Sequence, residues 1–347
     1  MLPYPSNPLP LRAMKSSAMD IYRMLQKYNV FAIVVHRGPD GDAIGSALAW
    51  QKIINAMGKE CIVIAPDDYP AFLRWLPGAK DILVHANDAT RVKEALKLCD
   101  MVFCLDFNAS DRMGPAEADV VKAGKPFAII DHHRFPSDFA EAYYVDDEAS
   151  STAELIYRLS VELNLDGSID SEVATCLYTG LVTDTGSFRY PSVRADVLRI
   201  AAALLATGMD HVEIYEQVYN SNRIEQLRLK GFALSERLKL TGGDQAAYIY
   251  LSASDLARFD FRPGDTEGLV NYALSIKGVH VAAFFAEKDK IVKISLRSKG
   301  ILDVNNLARE HFKGGGHIHA AGGRSELSLE QTCRKFESLM NERYEKS

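Results

Sequence analysis

The sequence predicts an α/β protein, with a parallel-sheet, Rossmann-like first domain followed by a smaller α/β domain. Three observations carry this prediction. Short apolar runs alternate with helical stretches through the first part of the chain, which is the rhythm of an open parallel sheet covered on both faces. The 347 residues exceed one ordinary core and fall short of three. A long helical region ends ahead of Thr241, Gly242 and Gly243, and a strand resumes behind it. The expected division is residues 1–222, a helical connector over 223–240, and residues 241–347.

The first strand is the continuous apolar run from Val30 to Val35, of the kind buried on both faces, and it breaks at His36. A helix is expected from about Asp42 to Met57, closed by Gly58. Strands follow at Cys61 to Ala65, Met101 to Leu105 and Pro126 to Ile130, alternating with helices such as Ala89 to Leu98. Helical periodicity then runs through Ser151 to Leu163, Ser171 to Leu181, Ala195 to Ala206, His211 to Tyr219 and Arg223 to Leu238. The last part begins with the strand AAYIYLS and a helix near Thr266 to Ile276. A hairpin comes next, pairing Val279 to Ala286 with Ile291 to Arg297 around Glu287 to Lys290. In its second strand Val292, Ile294 and Leu296 alternate with Lys293, Ser295 and Arg297, so one face packs and the other meets solvent or a cleft.

Composition excludes several classes. Apolar residues at 47% and charged residues at 25% are the balance of a globular protein in water. No run approaches a membrane span, and the prolines of MLPYPSNPLPLR interrupt any signal-peptide core, so a cytoplasmic protein is expected. Five cysteines without CxxC spacing argue against a disulfide framework or a thiolate zinc site. A net charge of −6 disfavours grip on long duplexes, whose affinity comes from many phosphate contacts, yet leaves small nucleotides open. Between His280 and Arg324 eight Lys and Arg face four Asp and Glu, a local +4 beside a glycine-rich loop that points to an anion site.

Acidic residues and histidines cluster where the expected strands and helices run out: His36, Asp40 and Asp42; Asp106; Asp131, His132 and His133; and Asp184. Ligands in open sheets bind beyond the carboxyl ends of strands, so His36, Asp106 and Asp131 should meet on one rim. The first cluster by itself reads equally as a turn with a helix cap. Asp106 is the natural bridging carboxylate, His132 and His133 should diverge towards metal and substrate, and Asp131 can orient a ligating imidazole. Carboxylate and imidazole without sulfur suit two Mn²⁺ ions, with Mg²⁺ or Co²⁺ also compatible. Two such ions about 3.5 to 4 Å apart would activate a water and clamp phosphoryl oxygens, which points to a metal-dependent phosphoester hydrolase.

The strings VVHRGPDGDAIGS, CLDFN, IIDHH and VTDTG resemble the four signature motifs of DHH phosphoesterases, and FKGGGHIHAAGG resembles the GGGH motif of their associated C-terminal domain. Size and plan are most similar to the nano-RNase A type, bifunctional oligoribonucleases and 3′-phosphoadenosine 5′-phosphate phosphatases. The resemblance implies an active site in the cleft between the domains. It implies that His36, Asp40 and Asp106 hold one metal and that Asp42, Asp106, His132 and Asp184 hold the other, with His133 on the scissile phosphate. Substrate binding is implied for Arg297, Ser298, Gly315, Gly316 and His317. On the residues themselves, Arg297 can fork onto a phosphate, and the glycine run can either offer N–H groups to a phosphate or form a tight turn. Arg189 is a candidate for the same cleft or an exposed structural arginine.

The expected substrates are short oligonucleotides and adenosine 3′,5′-bisphosphate, with no long duplex and no membrane partner. A homodimer is one state the chain allows. The competing readings are a linear or cyclic diadenylate phosphodiesterase, an exopolyphosphatase or pyrophosphatase, and, from another class, a nucleotide sensor without turnover.

Overall fold

The computed structural model describes residues 18–288, 291–316 and 318–344. The chain divides at Ser221 and Asn222 into two compact units. The first contains α1 (Ala18–Lys27), β1 (Val30–Val35), α2 (Gly41–Ala56), β2 (Glu60–Ala65), β3 (Leu83–Val84), α3 (Ala89–Leu98) and β4 (Met101–Leu105). It continues with α4 (Glu117–Lys122), β5 (Phe127–Asp131), β6 (Ala142–Val145), α5 (Thr152–Glu162), α6 (Ser171–Asp184), α7 (Ala195–Leu205) and α8 (His211–Tyr219). All six strands are parallel, in the order β3-β2-β1-β4-β5-β6.

The strands are apolar throughout because both faces are covered. Phe31, Ile33 and Val35 of β1 join one core with α2, α5 and α6, while Ala32 and Val34 join a second with Val92 and Leu96 of α3 and Val120 of α4. The same alternation holds in β4, where Phe103 and Leu105 face the first core and Val102 and Cys104 the second. Strand order reverses between β1 and its neighbour β4, which makes their carboxyl ends a topological switch point. The expected parallel α/β sheet is therefore present, with β3 and β6 added at its edges. Those two are too short, at 2 and 4 residues, to leave a periodic signal in the sequence. Helix α6 runs three residues beyond the expected end at Leu181, so Asp184 lies in its last turn.

Helix α2 is buried from Gly41 to Trp50, and glycines let its neighbours approach. A Cβ on Gly45 would lie 2.4 Å from the carbonyl oxygen of Cys176 in α6, and one on Gly41 would lie 2.4 Å from Thr183 Oγ1. On the α6 side, a Cβ on Gly180 would meet Asp42 Oδ1 at 2.8 Å.

The second unit contains α9 (Ile224–Glu236), β7 (Leu238–Thr241), β8 (Ala246–Leu251), α10 (Ala253–Arg258), α11 (Leu269–Leu274), β9 (Val281–Lys288) and β10 (Ile291–Ser298). It ends with α12 (Val304–His311), β11 (Gly315–Gly316), β12 (Ala320–Ser325) and α13 (Leu329–Tyr344). Its mixed sheet runs β11-β12-β10-β9-β8-β7, with β8 and β9 parallel. Helices α12 and α13 cover one face through Phe312, Phe336 and Met340, and α9, α10 and α11 cover the other through Leu229, Leu256 and Leu269. The expected hairpin is the antiparallel pair β9 and β10, in which Val292, Ile294 and Leu296 are buried. The helix read as far as Leu238 ends at Glu236, because Leu238–Thr241 pairs as an edge strand with β8. Cross-strand pairing is a tertiary gain that helical periodicity does not register.

A close glycine and an open one should respond oppositely to alanine. Gly45→Ala must push α2 off a backbone carbonyl, and a loss of about 1–3 kcal/mol is expected. In the interior of α9, Gly231 has nothing within 4 Å of an added Cβ, and Gly231→Ala should gain about 0.5–1 kcal/mol. Denaturant titration of the two variants gives the comparison, and equal shifts would contradict the close α2–α6 approach.

Candidate metal centre

The site is built where β1, β4 and β5 end. Asp40 is the N-cap of α2, its Oδ1 accepting from the N–H groups of Asp42 and Ala43 at 3.1 Å, while His36 Nε2 lies 3.9 Å from the same oxygen. Both readings of the first cluster, cap and ligand, are thus compatible in one side chain. Asp106 follows β4 with φ of 65°, a left-handed conformation uncommon outside glycine and found at strained functional positions. This turn leaves the carboxylate among imidazoles: His36 Nε2 is 3.4 Å from Oδ2, and His132 Nε2 is 3.4 Å from Oδ1.

The imidazoles share one arrangement. Nδ1 of His36 donates to the Arg37 carbonyl at 3.0 Å, and Nδ1 of His132 to the Ala149 carbonyl at 3.3 Å. Nδ1 of His133 donates to Asp131 Oδ1 at 2.7 Å. An oxygen acceptor on Nδ1 fixes the neutral tautomer with its lone pair on Nε2, the form a metal ligand needs. In His36 and His132 that Nε2 faces the carboxylates. Asp131 is fully buried, and its Oδ2 has no partner among the described residues. Contrary to the expected divergence of His132 and His133, their rings stay 4.9 Å apart, and His133 Nδ1 is 3.7 Å from Asp106. The turn at Asp106 brings its carboxylate within reach of both.

Ligand atoms fall into sets whose members lie within 4.8 Å of one another: His36, Asp40 and Asp106; Asp42, His132 and Asp184; and Asp106, His132 and His133. His132 Nε2 is 3.7 Å from both Asp42 Oδ2 and Asp184 Oδ2. Oxygen and imidazole donors in sets linked through Asp106 and His132 fit a pair of hard or borderline divalent cations.

Charge in the cluster is strongly coupled. Burial works against the charged form of His36, but Asp106 and Asp40 outweigh it and carry its pKa to about 10. His132 is also raised, with Asp106 and Asp184 overcoming burial. Burial raises the carboxyl of Asp42, and Asp106 adds to it; burial and the neighbouring carboxylates push Asp184 up to about 6 despite His132. Asp106 moves the other way, since hydrogen bonds to His132 and His36 overcome its burial. The cluster therefore holds protons where cations would neutralise it.

Several contacts that shape the site have no motif. The backbone N–H groups of Thr152 and Ala153 reach Asp42, the Thr152 hydroxyl reaches Asp106, and Ser46 Oγ reaches Asp42. The only local signal is the cap Ser151 three residues before Glu154, which marks a helix start and says nothing of its partner.

The remaining expected residues are placed differently. Arg189 is exposed, its Nε donating to the Gly186 carbonyl at 2.6 Å. In the second unit, Arg297 is half-buried on β10, no carboxylate pairs with it among the described residues, and its buried Nε lacks a partner. Ser298 is buried, and its hydroxyl donates to the Leu302 carbonyl at 2.6 Å. His317 lies outside the described residues. At two glycines the N–H groups expected to face a phosphate are engaged: Gly314 donates to the Ala308 carbonyl and Gly316 to Asn305 Oδ1. Close backbone contact explains the glycines here, since a Cβ on Gly314 would lie 2.0 Å from the Gly322 carbonyl oxygen.

Residues 30–181 match the DHH family, N-terminal domain, and residues 243–345 match the DHHA1 domain. The bifunctional oligoribonuclease and PAP phosphatase NrnA of Thermus thermophilus is 30% identical over 89% of this chain and 89% of its own. The protein of the same description from Bacillus subtilis is 26% identical over 92% of this chain and 99% of its own. Among solved structures, an exopolyphosphatase-related protein from Bacteroides fragilis is 37% identical with a TM-score of 0.87, covering 94% of this chain and 95% of that one. RecJ of Thermus thermophilus in complex with Mn²⁺, 14% identical, shares the fold at a TM-score of 0.52 over 97% of this chain and 56% of its own.

Two outcomes are expected at this site. His36, with its pKa near 10, is protonated at pH 7, and ligation requires the neutral ring, so a divalent cation bound there would have to displace protons. Affinity should rise with pH by about tenfold per unit for each proton displaced. Calorimetry in buffers of different ionisation enthalpy measures that release, and none would contradict His36 as a ligand. Asp106→Asn should fold and lose Mn²⁺ binding, because Asn tolerates the left-handed backbone. Asp106→Ala adds a conformational cost at the same φ, so the Asn variant is the cleaner comparison in paired melting and metal titrations.

Proposed function

The chain belongs to the DHH family and is a phosphoric ester hydrolase, and on that premise we propose that it cleaves short oligonucleotides to mononucleotides and removes the 3′-phosphate of adenosine 3′,5′-bisphosphate. The observation that supports this most is the position of Asp106 on the switch point of the sheet, in one ligand set with His36 and Asp40 and 3.4 Å from His132 Nε2 of the set that holds Asp42 and Asp184. His36, Asp40 and Asp106 would hold one cation, and Asp42, Asp106, His132 and Asp184 the other. Mn²⁺ is the proposed ion, with Mg²⁺ and Co²⁺ as substitutes. Two such cations, when bound, supply Lewis acidity and an activated water for in-line displacement at phosphorus.

The side chains supply the rest. His133, its Nδ1 held by Asp131, would donate from Nε2–H to a phosphate oxygen, and the buried Asp131 keeps that ring in one orientation. Arg297, with guanidinium donors that no carboxylate among the described residues takes, would bind a second phosphate or stack on a base. The backbone at Gly315 and Gly316, with Ser298 and His317, would line the same nucleotide, and Arg189 would add charge once freed from the Gly186 carbonyl. A sensor without turnover is disfavoured because every proposed ligand position carries a donor.

A substrate panel with added Mn²⁺ tests the reading: adenosine 3′,5′-bisphosphate, dinucleotides, five-residue RNA, cyclic diadenylate, pyrophosphate and inorganic polyphosphate. Phosphate release from the bisphosphate and mononucleotides from the dinucleotide are expected. Binding with no turnover on any member would support the sensor instead. Arg297→Ala should raise KM for nucleotides while leaving Mn²⁺ content at the wild-type level, and a variant that loses metal would contradict this division of roles. Activity on two- to five-residue RNA should exceed that on a strand of about twenty residues by about tenfold, or ~1.4 kcal/mol, because the chain carries −6 and its basic segment is short. Equal rates at matched end concentrations would instead indicate a processive nuclease.

A further inference from the structure

We infer that Thr152 is a positioning residue for the metal centre, tying Asp42 and Asp106 to the first turn of α5 and so setting the affinity for both cations. The inference rests on the reading of this cluster as a two-metal site. Thr152 is fully buried and follows the N-cap Ser151, so its N–H is one of the donors a helix leaves unpaired in its first turn. That N–H donates to Asp42 Oδ2 at 2.6 Å, and the Thr152 hydroxyl donates to Asp106 Oδ1 at 2.9 Å. A single residue thus holds one carboxylate from the start of α2 and another from the tip of β4. Asp42 groups with His132 and Asp184, while Asp106 groups with His36 and Asp40 and again with His132 and His133, so the two carboxylates together reach every ligand set.

The neighbours support a built arrangement. Ala153 N–H donates to Asp42 Oδ1 at 2.9 Å and Ser46 Oγ to the same oxygen at 3.1 Å, so Asp42 is held by three residues. From the α6 side, Gly180 leaves the space that Asp42 and Ala153 occupy, since a Cβ there would lie 2.8 Å from Asp42 Oδ1 and 2.7 Å from the Ala153 Cβ. Thr152 belongs to none of the ligand sets. Its hydroxyl acts through Asp106, and no solvent reaches the position to replace it. Partners of this kind commonly change metal affinity by about 10–100-fold when removed.

The experiment is Mn²⁺ titration of the full chain by calorimetry, with electron paramagnetic resonance of free Mn²⁺ as a second readout, alongside melting of the metal-free proteins. Thr152→Val keeps the shape and removes the hydroxyl; binding about tenfold or more weaker than wild type is expected. Thr152→Ser keeps the hydroxyl and the N–H and should bind within about threefold of wild type. Were the valine variant to unfold, Thr152→Ala against Thr152→Ser isolates the hydroxyl, and the same difference is expected. Wild-type affinity in the valine or alanine variant overturns the inference while the metal centre stands. Equal loss in the serine variant also overturns it, because the methyl group and its packing would then be responsible. A wild-type chain that takes up no divalent cation overturns the metal-centre reading, and the inference with it.

Discussion

Four carboxylates and three imidazoles drawn together at the carboxyl edge of a parallel sheet cost solvation and repel one another, and only positive charge placed among them offsets both. Asp42 and Asp106 are buried almost completely, whereas Asp40 and Asp184 keep part of their surface in water. Protons fill part of the need in the metal-free chain, which is why His36 and His132 hold theirs far above the ordinary range. The rest of the first unit is arranged so that this cluster can exist.

Asp106 is the centre of that arrangement. Its left-handed backbone turns the carboxylate out of the line of β4 and towards His36 on one side and His132 on the other. Each imidazole is fixed from behind by an oxygen on Nδ1, which orients the rings before any ligand arrives. The sheet supplies spacing, because β1, β4 and β5 are adjacent and parallel, with their ends on the same rim. Helices α2 and α6 supply the carboxylates from the first core side, and glycines at their contact allow the approach.

Glycine has the same role in the second unit for another purpose. Gly314 and Gly316 let β11 lie against β12, and Asn305 pins Gly316 through its N–H, so the loop is held by backbone contact. Arg297 is different in character. Its strand partners are alanines, and its guanidinium is left with donors that no carboxylate among the described residues takes. A basic side chain held half-buried without a counter-ion is a reason to look for an anionic ligand.

The parallel sheet was legible because two-sided burial writes itself as unbroken apolar runs, and Val30–Val35 and Met101–Leu105 are such runs. The acidic and histidine cluster was legible as a set of candidate ligands because each member sits in a short motif at an element's end. Four features were not. The two-residue β3 and the edge strand β7 depend on pairing with strands distant in sequence. The φ of Asp106 is set by the fold around it, since the sequence CLDFN carries no glycine to announce the turn. Thr152 reads locally as the first residue of a helix, and only the packing of α5 against α2 and α6 puts its N–H on Asp42 and its hydroxyl on Asp106. Sequence thus determined which side chains could ligate and on which rim they end. Tertiary structure decided which of them converge and what holds them there, because hydrogen bonds between residues more than a hundred positions apart leave no spacing to read.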